Sequence, residues 1–139
     1  MSEAKNTRKP PVLYLVLPCY NEEEVLHVSV PLFLGELERM VRSGKIDRES
    51  RILFVDDGSR DGTWSLILGL AERDKRCLGI RQSRNRGHQN AIFAGMMEAE
   101  QSADAVITVD CDGQDDISAM EEMVDAYLDG CDIVYGVRK

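Results

Sequence analysis

VLYLVLPCYNE, residues 12–22, is the stretch that decides the fold of this 139-residue chain. Its first six residues are apolar or aromatic without a polar interruption, which is typical of a short strand buried on both faces of a sheet. The five residues that follow, PCYNE, end the run abruptly in a polar loop. Because ligands of open α/β sheets bind beyond the carboxyl ends of the strands, this loop is a candidate part of a binding site.

Four further β-rich runs follow along the chain and alternate with segments of helical period. The runs are Arg51–Val55, Leu78–Gln82, Ala105–Val109 and Asp132–Tyr135. Strands that alternate with helices favour right-handed βαβ crossovers, because a parallel neighbour needs a long connection. The sequence therefore predicts an α/β fold with a largely parallel, Rossmann-like sheet and helices on both faces.

The helical segments are marked by apolar or small residues at three- and four-residue steps. Pro31 is predicted to kink or restart the first of them, residues 23–42. Asp61 is a predicted N-cap of the second, and Ser118 with Glu121 a predicted capping box of the last. The four stripes are Leu26, Val30, Phe33, Leu37 and Met40; Trp64, Ile67, Leu68 and Ala71; Ala91, Ala94, Gly95 and Ala99; and Met120, Met123, Val124, Tyr127 and Leu128.

The length and charge of the chain limit its partners. A polar arm, residues 1–11, precedes one predicted domain, residues 12–139. The net charge of -8 disfavours nucleic acid and anionic lipid as partners, whereas a phosphate-bearing small ligand is acceptable if a cation offsets the repulsion. The four cysteines form no CxxC pair, which favours a reduced, cytoplasmic setting, and no apolar run has the length of a signal peptide or membrane span.

Polar, largely acidic loops follow the first four runs and are expected at one rim of the sheet. They are residues 18–22 (PCYNE), 56–63 (DDGSRDGT), 83–90 (SRNRGHQN) and 110–116 (DCDGQDD). Each loop alone is also compatible with turns and helix caps. The pair Asp110 and Asp112 indicates a cation site more specifically, because two carboxylates so close together repel each other unless a cation intervenes. Carboxylate oxygens suit Mg²⁺ or Mn²⁺, and Gln114 could add a neutral oxygen ligand.

Other side chains of these loops suit a nucleotide. Asp57 could accept hydrogen bonds from a uracil or guanine ring, while Asp56 instead braces the loop. Tyr20 offers an aromatic face to the base, and Glu22 could accept from ribose hydroxyls. Three basic side chains could balance phosphate or sugar, although exposed arginines are also commonly just solvated. They are Arg84, Arg86 and His88.

Together the loops resemble the inverting GT-A glycosyltransferases of family 2, over residues 12–138. The matching motifs, in that family's order and spacing, are PCYNE (18–22), VDDGS (55–59), SRNRG (83–87), and DCD with QDD (110–116). The segments 84–95 and 134–138 are most similar to the branch that moves glucose or mannose onto polyprenyl phosphate. Cys111 and Gly113 stand where Ala and Leu are commoner, and Ile117 where Pro often follows; none of these differences removes a ligand.

The resemblance implies a GT-A fold, a UDP-hexose or GDP-mannose donor, Mg²⁺ or Mn²⁺, and a lipid-phosphate or other glycan acceptor. The implied nucleotide-sugar contacts are Pro18, Tyr20, Glu22, Asp57, Arg84, Asn85, Asp110, Cys111 and Asp112, and the implied metal ligands are Asp110, Asp112 and Gln114. The acceptor segment, catalytic base and membrane helices of such enzymes are expected beyond Lys139. We therefore expect a donor-binding half that transfers sugar poorly alone and reaches the cytoplasmic face of the membrane only through segments absent here.

Three alternatives compete with this interpretation. An EF-hand loop would need Gly at position 115 and a helix before Asp110, where Asp and a predicted strand stand. A phosphorylation receiver would carry its acidic pair after the first strand. A nucleotidyltransferase would carry a glycine-rich, basic phosphate loop there, in place of PCYNE.

Overall fold

Among the residues that the structure describes, four parallel strands form a sheet in the order β3-β2-β1-β4. The computed structural model describes residues 8–111 and 117–131. The strands are β1 (Leu13–Cys19), β2 (Arg51–Asp56), β3 (Cys77–Arg81) and β4 (Ala105–Thr108), and the helices are α1 (Glu23–Arg42), α2 (Thr63–Arg73), α3 (His88–Glu100) and α4 (Ala119–Leu128). The predicted α/β fold with a parallel sheet is confirmed. The predicted run Asp132–Tyr135 lies outside the described residues.

β1 is the centre of the sheet, and all seven of its residues are buried. It pairs with β2 on one side and with β4 on the other. The strand extends two residues beyond the prediction and includes Pro18. The Val16 carbonyl accepts from the Val109 N–H on the β4 side. Pro18 faces the same side but lies beyond the last β4 pair, which joins Val16 to Thr108, so its missing N–H breaks no ladder bond.

Helices cover both faces of the sheet, as predicted. Alternate β1 residues divide between two apolar clusters because successive side chains of a strand point to opposite faces. On one face Leu15 and Leu17 pack in a cluster with buried residues of α1, α2 and α4. On the other face Tyr14 and Val16 pack with small residues of α3, as the Ala and Gly face of that helix predicted.

α1 runs without interruption through Pro31, so the predicted restart of the helix is wrong, and a kink there stays a prediction. Pro31 is exposed, whereas the predicted inward stripe is fully confirmed. The buried stripe is Leu26, Val30, Phe33, Leu37 and Met40. A helical proline costs roughly 3 kcal/mol, and each of these side chains contributes roughly 1.5–3 kcal/mol on burial. Apolar burial on both sides of the proline therefore holds the helix together.

Three local predictions at the helix ends and faces are also wrong. Leu68 is 48% exposed, because the inner face of α2 is centred on Thr63 and Ile67. Gly62 takes the N-cap position of α2, and Asp61 one residue earlier accepts from the Thr63 N–H at 2.9 Å. Ser118 is at the N-cap of α4 but makes no side-chain capping bond, because Glu121 forms ion pairs instead of a capping box.

Gly95 allows α3 to approach the sheet closely. A Cβ at this position would collide with Val16 Cγ1 and would lie 2.9 Å from Val55 Cγ2, both in the strands beneath. Gly35 is the contrasting case, since a Cβ on that exposed glycine of α1 would meet nothing within 4 Å. The glycine of α3 is therefore required by packing, whereas the glycine of α1 is not.

An ion-pair network ties α4 to the C-terminal end of α1 and the turn after it. Glu121 accepts from both Arg39 and Lys45, and Lys45 also pairs with Asp125 at 2.9 Å. Hydrogen bonds from Arg39 and Lys45 lower the pKa of Glu121 to about 2. Its usual value is about 4.5, so the network stabilises the folded chain above that pH.

We expect Gly95→Ala to destabilise the fold by about 1–3 kcal/mol through overpacking, although alanine is the better helix former. Gly35→Ala is the matched control and should stabilise by about 0.5–1 kcal/mol. Urea unfolding of both variants measures the difference. Equal stabilisation by the two substitutions would contradict the close packing of α3.

We expect Glu121→Gln to destabilise the fold at neutral pH, with a deficit that disappears as the pH falls from about 5 to about 2. The sign follows from the lowered pKa: the carboxylate stabilises the fold while it is ionised, and the benefit is lost as it protonates. Unfolding free energies across that range measure the effect. Glu122→Gln removes the same charge one position along, on an exposed side chain, and should show a smaller pH-dependent deficit.

Candidate functional site

The loops after all four strands meet at the carboxyl edge of the sheet, around one cavity of about 410 Å³. Residues that end β1 or follow β4 are part of its lining, and the strand order reverses between these two strands. Ligands of open α/β sheets bind at this switch point. The lining residues are Pro18, Cys19, Tyr20, Glu22, Asp57, Asn85, Gly87, His88, Ala91, Asp110 and Cys111.

The loop after β1 is held in place by the loop after β2. Asn21, with a left-handed φ of 53°, accepts from the Arg60 N–H at 2.9 Å, and its own N–H donates to Ser59 Oγ at 2.8 Å. The Glu22 N–H donates to Thr63 Oγ1 at 2.8 Å. These bonds fix the backbone at Asn21, between the cavity residues Tyr20 and Glu22, and at Glu22 itself. Tyr20 consequently presents a side chain that is 41% exposed.

The acidic pair after β2 divides its roles. Asp56 is fully buried, accepts from the Ser59 N–H at 3.2 Å and lies 3.3 Å from Arg81 Nε. It therefore braces the loop, as predicted. Asp57 is only 4% exposed, yet it lines the cavity.

Asp57 also sets the position of the loop after β3. One carboxylate oxygen accepts from the Arg86 N–H at 2.8 Å and the other from the Gly87 N–H at 3.1 Å. A carboxylate offers about four acceptor positions, so two backbone bonds leave capacity for a ligand. The residue can thus order the site and bind within it.

The loop after β3 brings some predicted residues to the cavity and leaves two outside. Asn85 lines the cavity, and its Oδ1 accepts from the Gly87 N–H at 2.9 Å. His88 lines it too, from the start of α3. Arg84 and Arg86 are both exposed and are not among the lining residues, so a phosphate or sugar contact of either stays a prediction.

Only part of the predicted metal site is described. Asp110 lies at the cavity with a half-exposed carboxylate, and its Oδ1 is 3.6 Å from His88 Nε2. Asp112 and Gln114 lie outside the described residues. Within 8–111 and 117–131, His, Cys, Asp and Glu form no group of three or more that could hold a metal ion.

Sequence reasoning missed three features of the cavity. Cys19 and Ala91 line it, and the buried Cys111 thiol contacts Glu22, with Sγ 3.1 Å from Oε2. Ala91 sat in a predicted packing face and gave no separate signal. Cys19 stood between two predicted contacts in PCYNE, and that position was the available signal.

A parallel α/β sheet with acidic loops around a cavity at its switch point is typical of nucleotide-binding proteins. The sequence model of Glycosyl transferase family 2 matches residues 14–139. The chain therefore belongs to glycosyltransferase family 2. This membership decides against the receiver, EF-hand and nucleotidyltransferase alternatives.

Relatives support the same family. The chain is 43% identical over 129 residues to the uncharacterised glycosyltransferase YkoT of Bacillus subtilis (strain 168), covering 93% of this chain and 38% of that protein. It is 36% identical over 124 residues to the bactoprenol glucosyl transferase of Shigella phage SfV, covering 89% of this chain and 38% of that protein. The chain thus spans little more than a third of the length of these relatives.

Solved structures share the GT-A fold. The mannosyltransferase PcManGT of Pyrobaculum calidifontis, in complex with GDP-Man and Mn²⁺, matches with a TM-score of 0.54 at 23% identity, over 78% of this chain and 29% of that one. Staphylococcus aureus TarS (residues 1–349) matches with a TM-score of 0.52 at 20% identity, over 80% of this chain and 30% of that one. None of the described helices combines the length and hydropathy of a membrane span.

Gly58 is the point where the loops after β2 and β3 touch. Its φ is +77°, and a Cβ there would lie 2.6 Å from both Arg84 C and Asn85 N. Gly44 has nearly the same φ, +76°, but a Cβ there would meet nothing within 4 Å. The two glycines have the same left-handed backbone conformation, and only Gly58 has a close neighbour.

We expect Gly58→Ala to destabilise the fold more than Gly44→Ala. An alanine in the left-handed backbone conformation is destabilising by about 1–2 kcal/mol at either position, but only Gly58→Ala forces two loop backbones apart. Urea unfolding measures the difference, and hydrogen exchange at Arg86 and Gly87 should rise in Gly58→Ala alone, because their bonds to Asp57 weaken. Equal destabilisation with unchanged exchange would contradict this role.

Proposed function

We propose that this chain is the donor-binding part of a metal-dependent, inverting glycosyltransferase. The enzyme takes a hexose from a UDP-hexose or GDP-mannose type donor and places it on a polyprenyl phosphate or another glycan acceptor. One observation carries the proposal: Asp57, Tyr20, Glu22 and Asp110, from three different strand ends, line one cavity at the switch point.

The β1 and β2 side of the cavity suits the nucleoside. Tyr20 offers an exposed ring on which a base can stack, and the ordered Asp57 carboxylate can accept from a ring N–H. Glu22 can accept from ribose hydroxyls, and Pro18 adds an apolar wall. Because Asp57 is nearly buried, a hydrogen bond to it is made with little competition from water.

The β4 side suits the diphosphate and a cation. Three carboxylates line the described cavity, at Glu22, Asp57 and Asp110, against one imidazole, at His88. A diphosphate would be repelled there without a divalent ion, and hard oxygen donors fit Mg²⁺ or Mn²⁺. Asp110, together with Asp112 and Gln114, would hold it. Bound there, the ion supplies Lewis-acid stabilisation of the leaving diphosphate.

The chain's remaining residues bind and orient the donor. Asn85 and His88 lie at the cavity where the diphosphate or sugar would extend, and Arg84 is proposed to reach the donor from the same loop. In an inverting transfer, the acceptor oxygen bonds to the anomeric carbon as the bond from that carbon to the diphosphate oxygen breaks. The base for this step is expected beyond Lys139.

The acceptor class follows from the relatives rather than from the cavity. Proteins named bactoprenol glucosyl transferase are 36% identical over 89% of this chain. Segments 84–95 and 134–138 also resemble the branch that acts on polyprenyl phosphate. We therefore propose polyprenyl phosphate as the acceptor.

Calorimetric titration with UDP, GDP, UDP-glucose and GDP-mannose, with and without Mn²⁺, tests this function. One base series should bind, with an affinity that Mn²⁺ raises at least tenfold, or about 1.4 kcal/mol. Asp110→Asn should remove most of that gain, because the cation loses a charged ligand. Asp129→Asn removes the same charge from the exposed end of α4 and should preserve it. Absent binding, or metal-independent binding, would contradict the proposal.

A further inference from the structure

The thiols of Cys19 and Cys111 both line the cavity. Cys19 ends β1 and Cys111 follows β4, and both are 1% exposed. The two side chains are in contact with each other and line the cavity at the switch point, next to the proposed nucleoside site.

The hydrogen bonds of these thiols point in defined directions. Cys19 Sγ donates to the Leu17 carbonyl at 3.4 Å, and Cys111 Sγ donates to Glu22 Oε2 at 3.1 Å. Since a carboxylate oxygen accepts hydrogen bonds, the Cys111 thiol is the donor in its contact with Glu22.

Glu22 is the only cavity carboxylate of the described residues on the β1 loop, and it is held at two points. Its backbone N–H is bound to Thr63 Oγ1, and its carboxylate to the Cys111 thiol. Fixing a glutamate side chain in advance saves part of the rotamer entropy that ligand binding would otherwise cost. The second carboxylate oxygen keeps its capacity to accept hydrogen bonds.

We propose that Cys111 is a positioning residue: its buried thiol holds the Glu22 carboxylate so that this carboxylate accepts from the ribose hydroxyls of the donor nucleotide. The proposal rests on the proposed function, since it concerns the same site. Cys111 lies between the two predicted metal-binding aspartates, but its proposed role is in binding the nucleoside rather than the metal. The link crosses from β4 to the loop after β1.

Binding of UDP and GDP and of their 2′,3′-dideoxy counterparts, each with Mn²⁺, tests this role by calorimetry. For whichever base binds, Cys111→Ala should weaken the ribonucleotide about fivefold, because a hydrogen bond to a charged group is lost. Cys111→Ser, which keeps a donor, should stay within about twofold of the parent chain. The dideoxy nucleotide should bind both alanine variant and parent equally, since it has no ribose hydroxyls for Glu22 to accept.

Two controls separate positioning from packing. Cys77→Ala removes another thiol that is 1% exposed, outside the cavity, and should lower stability without changing nucleotide affinity. In a Glu22→Gln background, Cys111→Ala should cost much less than in the parent chain. The infrared S–H stretching band assigned to Cys111 should also move to higher wavenumber in Glu22→Gln, because a neutral amide is the weaker acceptor.

The outcomes distinguish this role from the function on which it rests. Parent binding with an unchanged affinity of Cys111→Ala, or an equal loss for the ribo and dideoxy nucleotides, would overturn the role of Cys111 alone. An S–H band unaffected by Glu22→Gln would also overturn it. If the parent chain binds neither nucleotide, the proposed function and the role of Cys111 fail together.

Discussion

Pairing of β1 on both of its edges is the constraint on which the rest of the structure depends. With β2 on one side and β4 on the other, every β1 residue is buried, and the strand order reverses at its β4 edge. Such a strand must be apolar throughout its length and can become polar only where it leaves the sheet. The site therefore begins where the apolar run ends, at PCYNE.

Buried carboxylates connect this framework to the loops. Removing an ionised carboxylate from water is costly unless hydrogen bonds or opposite charges compensate. Asp56 Oδ2 is compensated by Arg81 and the Ser59 N–H, and Asp57 by the N–H groups of Arg86 and Gly87. Since Arg81, Arg86 and Gly87 belong to the next strand or the loop after it, their bonds to the acids also assemble the site. Ordering of the cavity and stability of the fold are thus coupled.

The sequence predicted the parallel sheet and most cavity residues because both follow from patterns that run along the chain. An apolar run and a polar loop at its end are local signals. The sequence alone therefore predicted that Tyr20, Glu22, Asp57 and Asp110 lie at one rim of the sheet. The continuity of α1 through Pro31 could not be predicted in this way, because the helix-breaking tendency of proline was outweighed by apolar burial at both ends of the helix.

The remaining failures concern contacts between distant segments. Glu121 had the spacing of a capping box with Ser118, but Arg39 and Lys45 lie within reach only in the folded chain. The thiol of Cys111 likewise meets Glu22, 89 positions away. Such choices of partner depend on three-dimensional proximity, which no spacing rule encodes.

The charge of the cavity makes the proposed donor and cation bind together. Each anion brought to the carboxylates of Glu22, Asp57 and Asp110 adds repulsion, and each cation removes it. Because coupling between two ligands is reciprocal, a nucleotide whose affinity rises with Mn²⁺ must raise the affinity for Mn²⁺ by the same factor. A site acidic enough to need the ion would then hold it weakly until the diphosphate arrives. Donor binding and assembly of the metal centre would thus be one event.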